Sequence, residues 1–86
     1  MGGWCLKMVC PGFTGMPDRV ILLRGGRMAF VELKRPGQRE RPRQQFVQNR
    51  LRGLGFIVFS SVNSWAEVDN VLRWCAAVLA GVSHDL

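Results

Sequence analysis

The chain of 86 residues contains one histidine, three cysteines and no tyrosine. Three cysteines are an odd number, they include no C-x-x-C pair, and His84 stands near the end of the chain, so neither a disulfide framework nor a zinc site is expected. No apolar run approaches the roughly 18–20 residues that cross a bilayer, and the first residues lack the basic and then apolar pattern of a signal peptide. These absences predict a soluble intracellular protein, in a reducing compartment and without a membrane partner.

Signatures of several large enzyme classes are missing as well. The chain has no P-loop, no G-x-G-x-x-G, no G-x-S-x-G and no histidines at metal-ligand spacing. Its length suits one small domain, which we place over residues 1–86, and it excludes folds of about 250 residues such as the (β/α)₈ barrel. Enzymes that depend on these motifs are therefore not expected.

Acidic residues are scarce. The chain has 6 Asp and Glu against 12 Lys and Arg, which gives a formal net charge of +6. Every basic residue except Arg73 lies between Lys7 and Arg52, so the excess belongs to one region of the chain. The hydrophobic fraction of 48% is that of an ordinary globular domain. A folded domain with regional positive charge points to a polyanionic partner, and nucleic acid is the simplest one.

The order of apolar segments and turn signals predicts an α/β fold. A strand, a β-hairpin, a helix, a strand and a second helix follow one another, which gives a mixed sheet covered by helices. The pair Gly25-Gly26 can adopt the positive φ angles of a two-residue hairpin turn, and the capping-box sequence at 64–67 opens the last helix. The predicted strands are 4–10, 19–24, 27–34 and 56–60, and the predicted helices run from Glu40 or Arg41 to Leu54 and onward from Ser64.

The hairpin carries the chemically informative residues. Side chains alternate along a strand, so Glu32 and Lys34 point to the same face of the second hairpin strand. Asp18 stands at the start of the first hairpin strand, near the same open end. A two-residue turn would set Glu32 opposite Arg19 and would leave Asp18 one position away from the Glu32 face. The two carboxylates then converge only if the turn is longer or the strand bends at Asp18.

Two carboxylates and a lysine are the groups that metal-assisted hydrolysis of a phosphodiester requires. Carboxylates hold a hard divalent cation through oxygen. The cation lowers the pKa of a bound water and neutralises charge on the phosphate. The lysine stabilises that charge or orients the attacking water. Taken alone, Glu32 and Lys34 are also what a surface ion pair at the end of a strand would provide.

Three pieces of sequence, in a fixed order, resemble one nuclease family. G-x-P-D-R at 15–19, F-V-E-L-K-x-P-G at 30–37 and a downstream glutamine with L and L-G after it are similar to the VRR-NUC branch of the PD-(D/E)xK nuclease superfamily, over about residues 3 to 72. The resemblance implies a restriction-endonuclease-like α/β core and DNA cleavage that depends on Mg²⁺ or Mn²⁺. It also implies a symmetric homodimer that acts on branched DNA or four-way (Holliday) junctions in replication and repair, in the cytoplasm of a bacterium or a phage-infected host cell.

The resemblance implies roles for individual residues. Asp18 and Glu32 would ligate the metal ion, and the backbone carbonyl of Leu33 would be a further ligand. Lys34 would be the catalytic lysine. Family members usually begin with a helix that supplies one more acidic residue, but this chain starts after the place of that helix and no acid precedes Asp18. Either the start is truncated, or the site works with two carboxylates, or activity has been lost.

The fourth site residue is a glutamine, and two glutamines stand side by side. Gln44 shares a helix face with Val47 and Leu51 at i, i+3 and i+7, whereas Gln45 points about 100° away. Gln44 also stands 11 residues before Gly55, which resembles the family spacing. We therefore favour Gln44 over Gln45 as the catalytic glutamine; its simpler role is that of a polar residue near a helix start.

Arginines crowd the loop and helix after the predicted site, with Glu40 as the only acid among them. On a helix, Arg39, Arg43 and Arg50 lie within about 40° of one another, an arrangement that suits DNA phosphates. We predict salt-sensitive binding that does not depend on sequence or on base stacking. A solvated helix face is the alternative. The predicted DNA-binding residues are Arg19, Arg35, Arg39, Arg43 and Arg50.

Three functions are open at this point. The first is a structure-selective DNA endonuclease. The second, favoured by the absent upstream acid, is a catalytically weak or inactive nucleic-acid-binding or dimerisation module with the same fold. The third is an unrelated small basic protein, such as a phage or ribosome-associated factor. For the homodimer, Trp65 and Trp74 flank the apolar stripe of the last helix and are candidate contacts, with ordinary packing as the alternative.

Overall fold

A four-stranded sheet organises the computed structural model, which describes residues 2–81. The strands are β1 (Gly3–Lys7), β2 (Arg19–Leu23), β3 (Arg27–Leu33) and β4 (Ile57–Val62), and the helices are α1 (Pro42–Gly53) and α2 (Trp65–Leu79). Strands β1, β2 and β3 are antiparallel neighbours, and β4 joins β3 in parallel after a crossover through α1. The predicted α/β class with a mixed sheet and flanking helices is confirmed, whereas His84 lies outside the described residues.

The hairpin turn is one residue longer than the two-residue turn predicted from Gly25-Gly26. Leu23 pairs with Arg27, so three residues, 24–26, join β2 to β3. Both glycines have positive φ angles, 77° and 73°, in the left-handed region that glycine enters without a steric penalty. The predicted glycine conformation is correct, but the predicted length of the turn is wrong.

The longer turn changes which residues face each other at the open end of the hairpin. Arg19 pairs with Val31, so the predicted pairing of Arg19 with Glu32 is wrong. Continued by one residue, the same register sets Asp18 opposite Glu32. Residues directly opposite on antiparallel strands carry their side chains on the same face, with Cβ atoms about 4.5–5.5 Å apart. The fold therefore adopts the alternative in which a longer turn lets the two carboxylates converge.

Each face of the sheet is covered by one helix. Because side chains alternate, even-numbered residues of β2 and β3 face α1 and odd-numbered ones face α2. The cluster on the α1 face comprises Val20, Phe30 and Val58, with Leu51 packed against them. The cluster on the α2 face comprises Ile21, Leu23, Val31, Val62, Val71 and Cys75. Glu32 shares the face of Phe30, so helix α1 is the element that can complete a site around it.

Strand β4 contains a bulge near its end. Val31 pairs with Phe59 on β4. Leu33 is two residues further along β3, yet its partner Val62 is three residues further along β4. Ser61, inside the extra length, has a φ of 55°, which is uncommon for a residue other than glycine. The bulge therefore changes the direction of β4 beside the segment of β3 that contains the predicted catalytic residues.

Helix α1 begins at Pro42, one or two residues later than predicted. Proline suits the first helical position, because the N–H that it lacks would have no helical partner there. Arg39 therefore lies in the loop before the helix. Its predicted alignment with Arg43 and Arg50 on one helical face is wrong, although the last two are still seven residues apart on α1.

Helix α2 begins where the capping-box sequence predicted. The Ser64 hydroxyl accepts a hydrogen bond of 3.3 Å from the backbone N–H of Glu67, which satisfies one of the unpaired donors of the first turn.

Trp74 packs edge to face against Phe59 with ring centres 5.9 Å apart, whereas Trp65 is 84% exposed. Across residues 2–81, neither helix is both long enough and apolar enough to pass through a bilayer.

Candidate active site

The hairpin fixes Asp18 beside the end of β3. The Oδ1 atom of Asp18 accepts a hydrogen bond of 3.1 Å from the backbone N–H of Leu33. The backbone carbonyl of Asp18 accepts a second bond, of 2.8 Å, from the N–H of Met8, just beyond β1. The preceding residue, Pro17, is fully buried. These contacts hold the Asp18 carboxylate next to Glu32 and leave its second oxygen for another partner.

Glu32 is a buried carboxylate with an incomplete set of partners. It is 4% exposed, and its Oε1 atom lies 3.4 Å from Nε2 of Gln44 and 3.8 Å from Nζ of Lys34. Its Oε2 atom is buried and has no hydrogen-bond partner within the described residues. A buried carboxylate oxygen without a partner is costly, and native proteins rarely contain one without a functional reason. The orphaned oxygen therefore marks the place where a cation fits.

The surroundings of Glu32 disfavour its ionised form. Burial raises the pKa of this carboxyl group above its ordinary value of 4.5, and the negative charge of Asp18 raises the pKa further. The Lys34 ammonium lowers the pKa, and Glu40 adds to the rise. A divalent cation beside the two hairpin carboxylates would relieve their repulsion. The electrostatics thus fit a metal site better than an isolated Glu–Lys pair.

Gln44 links the lysine, the glutamate and the start of α1. Its Oε1 atom accepts hydrogen bonds of 2.8 Å from Nζ of Lys34 and 3.0 Å from the backbone N–H of Arg41. Its Nε2 atom donates the 3.4 Å bond to Glu32. Gln45 is exposed. The structure therefore places Gln44, rather than its neighbour, in the cluster, where it also acts as the polar residue that satisfies the helix start.

Asp18, Glu32, Lys34 and Gln44 thus lie together at one end of the hairpin. Carboxylate oxygens are the ligands that Mg²⁺ and Mn²⁺ prefer. Among residues 2–81, no three side chains of the His, Cys, Asp or Glu type converge as a metal site. The residues present fit a cation that is held by two carboxylates and has its other positions open to water or to a phosphate. The Leu33 carbonyl stays a prediction as a further ligand.

Glu40 supports the site from the loop before α1, and the sequence did not predict this role. Its Oε1 atom accepts hydrogen bonds of 2.8 Å from Oγ of Ser61 and 3.1 Å from Nε2 of Gln48. Gln48 is 2% exposed, and Ser61 lies in the bulge of β4. The network ties the loop before α1 to the helix and to the sheet. The sequence contains one sign of this network. Gln44 and Gln48 are four residues apart, so their amides lie on the same helix face, and the Gln48 amide is the one that binds Glu40.

The arginines predicted to bind DNA are mostly exposed. Arg19 is half-buried, and its Nη1 atom donates a 3.1 Å bond to the backbone carbonyl of Asp18. Arg52, which was not in the predicted set, donates from Nη2 to the carbonyl of Val58 at 3.1 Å and so anchors α1 to β4. The exposed members of the predicted set are Arg35, Arg39, Arg43 and Arg50. These four lie in the loop after Lys34 or on α1, the two elements that hold the candidate site.

Known proteins resemble this chain in fold and in sequence. A solved structure described as a VRR_NUC domain matches with a TM-score of 0.72 and 30% identity, over 83% of this chain and 76% of that chain. A curated phage protein, "Putative nuclease p44" of Acyrthosiphon pisum secondary endosymbiont phage 1, is 44% identical over 55 residues, which are 64% of this chain. The chain spans about three-fifths (59%) of the length of that relative. No protein-family model matches the chain.

The structural match covers most of both chains, and it extends to sequence as well as to fold. The mixed sheet and two flanking helices of this chain match the fold of that structure. The family and the restriction-endonuclease-like fold expected from the motif pieces are therefore confirmed. The chain belongs to the VRR-NUC family.

Proposed function

We propose that the protein is an endonuclease that hydrolyses phosphodiester bonds of DNA with Mg²⁺ or Mn²⁺. The observation that carries the proposal is the buried Glu32 carboxylate, which faces Asp18 across the hairpin and has the Lys34 ammonium 3.8 Å away. Family membership and the similarity to a phage protein named as a nuclease support hydrolysis of nucleic acid. The net charge of +6 supports a polyanionic substrate.

Each residue has its own task in this proposal. Asp18 and Glu32 hold the cation, with the Leu33 carbonyl as a candidate third ligand. When bound, the ion supplies the Lewis acidity that activates water and neutralises phosphate charge. Lys34 directs its ammonium at a phosphate oxygen or at the attacking water, and it stabilises the negative charge that develops there.

Gln44 positions the groups that act on the substrate. Its Oε1 atom holds Nζ of Lys34, and its Nε2 atom holds one oxygen of Glu32 and leaves Oε2 for the cation. Because Oε1 also accepts the backbone N–H of Arg41, the amide cannot turn without losing a bond at the start of α1. The first turn of the helix therefore keeps the lysine and the glutamate in a fixed relative orientation.

The test is a cleavage assay on a four-way junction, a flapped duplex and a plain duplex, each with Mg²⁺, Mn²⁺ or EDTA. We expect cleavage with either metal, none with EDTA, and faster cleavage of the two branched substrates. Cleavage that persists in EDTA would contradict the metal-dependent mechanism. Equal rates on all three substrates would contradict selectivity for branched DNA.

A DNA-binding module that does not cleave is the second candidate. It is favoured because only two carboxylates meet at the site in the described part of the chain, and an incomplete ligand set weakens metal binding. A ligand that binds only the folded state raises the melting temperature by mass action. No cleavage of any substrate, together with a melting temperature that Mn²⁺ leaves unchanged, would favour this candidate over the nuclease.

We further propose that two copies form a symmetric homodimer, which would offer two sites to a branched DNA of matching symmetry. Strand β1 supports this proposal because it is an edge strand with all five residues exposed. Trp4 and Leu6 are 69% and 43% exposed, and they lie opposite Leu22 and Val20 on one face. Light scattering at micromolar concentration should give twice the mass of 9.7 kDa; a monomer would contradict the dimer.

A further inference from the structure

Two exposed aromatic rings and an arginine lie together next to the proposed active site. Phe13 is 48% exposed and Phe46 is 61% exposed. The Cζ atom of Arg43 lies 5.0 Å from the ring centre of Phe13 and 5.5 Å from that of Phe46, within the range of a cation–π contact. We propose that these three side chains form a stacking platform that binds an unpaired base of a DNA strand.

The platform is held in place before any ligand binds. The Nε atom of Arg43 donates a 3.1 Å hydrogen bond to the backbone carbonyl of Thr14, next to Phe13. Gly15 has a φ of 97°, and a Cβ atom there would come within 3.0 Å of the Arg43 side chain and of Val47. The loop that contains Phe13 therefore packs directly on α1. A preformed surface loses less conformational freedom when it binds a ligand.

The platform and the candidate site are built on the same two segments. Arg43 immediately precedes Gln44, so their Cα atoms are about 3.8 Å apart, and Gln44 contacts both Glu32 and Lys34. Phe13 lies on the loop that leads through the buried Pro17 to Asp18. The platform and the candidate site thus share two supports, helix α1 and the loop that ends at Asp18.

The chemistry of the three side chains favours an unpaired base. Flat aromatic rings and a guanidinium plane both stack on nucleobases, and such stacking accepts any base. A base inside a duplex is already paired and stacked on both sides, so a flap, a single strand or a junction is what can offer an unpaired one. The remaining donors of the Arg43 guanidinium suit the adjacent phosphate. The net charge of +6 favours this occupant over a protein surface.

This inference rests on the proposed function and names the class of DNA that the site selects. It differs from the expectation that the arginine cluster binds without stacking, because two aromatic rings lie beside Arg43. Phe46 stands between Arg43 and Arg50 in the sequence, and Phe13 reaches the same place from a distant loop. Selectivity for branched DNA then has a physical source, because the platform is empty when the substrate is a continuous duplex.

The experiment measures binding in EDTA, where cleavage is not expected. The probe is a flapped duplex with 2-aminopurine at the first unpaired position, and a blunt duplex of equal length is its comparison. We expect wild-type protein to quench the 2-aminopurine fluorescence. Phe46→Ala should weaken flap binding by about tenfold and should change blunt-duplex binding by less than about twofold.

Three further variants separate stacking from other roles of the ring. Phe46→Trp should retain flap affinity, whereas Phe46→Leu, which is apolar but cannot stack, should behave like Phe46→Ala. Leu54→Ala is the matched control, because Leu54 is 60% exposed at the other end of α1 and should leave flap affinity unchanged. Full affinity in Phe46→Leu, or an equal loss on both DNAs in Phe46→Ala, would overturn the platform and indicate general apolar docking instead.

The outcome does not depend on whether the chain cleaves DNA. Quenching and flap-selective loss in a protein that cuts nothing would support the platform and reject the proposed endonuclease. Metal-dependent cleavage with no flap-selective loss in Phe46→Ala would support the endonuclease and reject the platform. The two proposals can therefore fail separately.

Discussion

Changing Glu32 to glutamine should lower the rate of DNA cleavage by about 10³-fold or more, with a change in DNA affinity of less than about threefold. Glutamine keeps the shape of the side chain but removes its charge, so a cation beside Asp18 loses one of its two acidic ligands. The exposed arginines that we propose to bind DNA are unchanged. Single-turnover cleavage in Mn²⁺, measured beside DNA affinity in EDTA, separates the two effects.

Lys34→Ala is the companion variant. It removes the ammonium that lies 2.8 Å from Gln44 and leaves both carboxylates in place. We expect a loss of cleavage of about 10²-fold or more, while the rise in melting temperature that Mn²⁺ causes is kept. Glu32→Gln, in contrast, should lose the rise in melting temperature with Mn²⁺ as well as the cleavage. Cleavage within about threefold of wild type in either variant would contradict the assignment of these residues to catalysis.

The stability of Glu32→Gln shows whether an inactive variant is still folded. A carboxyl group whose pKa is raised on folding binds its proton more tightly in the folded state. The free energy of unfolding of metal-free wild type should therefore fall as pH rises from about 4.5 through the raised pKa. Glutamine does not titrate, so the variant should lack this fall and be at least as stable at neutral pH.

Alternation along the strands was enough to predict part of the site. Once 27–34 is read as a strand, Glu32 must share a face with Phe30 and with Lys34. These features depend only on the local period of two residues, which the amino-acid sequence shows directly.

The meeting of Asp18 with Glu32 could not be predicted, because it depends on a single residue in the turn. Gly25-Gly26 suits both a two-residue and a three-residue connection, and positive φ angles occur in each. A shift of one residue changes every cross-strand partner. The motif resemblance implied that the carboxylates act together, while the turn decided whether the strands bring them opposite each other.

Contacts between segments that are distant in the sequence could not be predicted either. Ser61, which bonds to Glu40, lies in the bulge of β4. The sequence F-I-V-F-S-S-V contains no signal that predicts the extra residue of that bulge. Phe13 and Arg43 meet because a loop folds back on α1 at Gly15. Such contacts follow from how the elements pack, so the network around Glu40 and the stacking platform became visible only in the structure.

DNA affinity should fall by roughly 10²-fold between 50 and 200 mM salt, for about four phosphates neutralised and a slope of about −0.9 for each. Arg35, Arg39, Arg43 and Arg50 are exposed, and within residues 2–81 none of them forms an ion pair with a carboxylate. Their charges are therefore available to displace counterions from the DNA backbone. Titrations of a duplex at several salt concentrations, in EDTA, give the slope.

Single variants test whether these arginines, rather than the net charge alone, set the slope. Arg50→Ala should make the slope of log affinity against log salt shallower by about 0.9, with equal effect on any duplex sequence. Arg73→Ala is the matched control, because Arg73 carries the same charge and is exposed on α2, the helix that covers the opposite face of the sheet. An affinity that does not vary with salt would contradict the electrostatic interface. Equal changes in both variants would show that DNA does not lie preferentially along the α1 face, where the candidate site is.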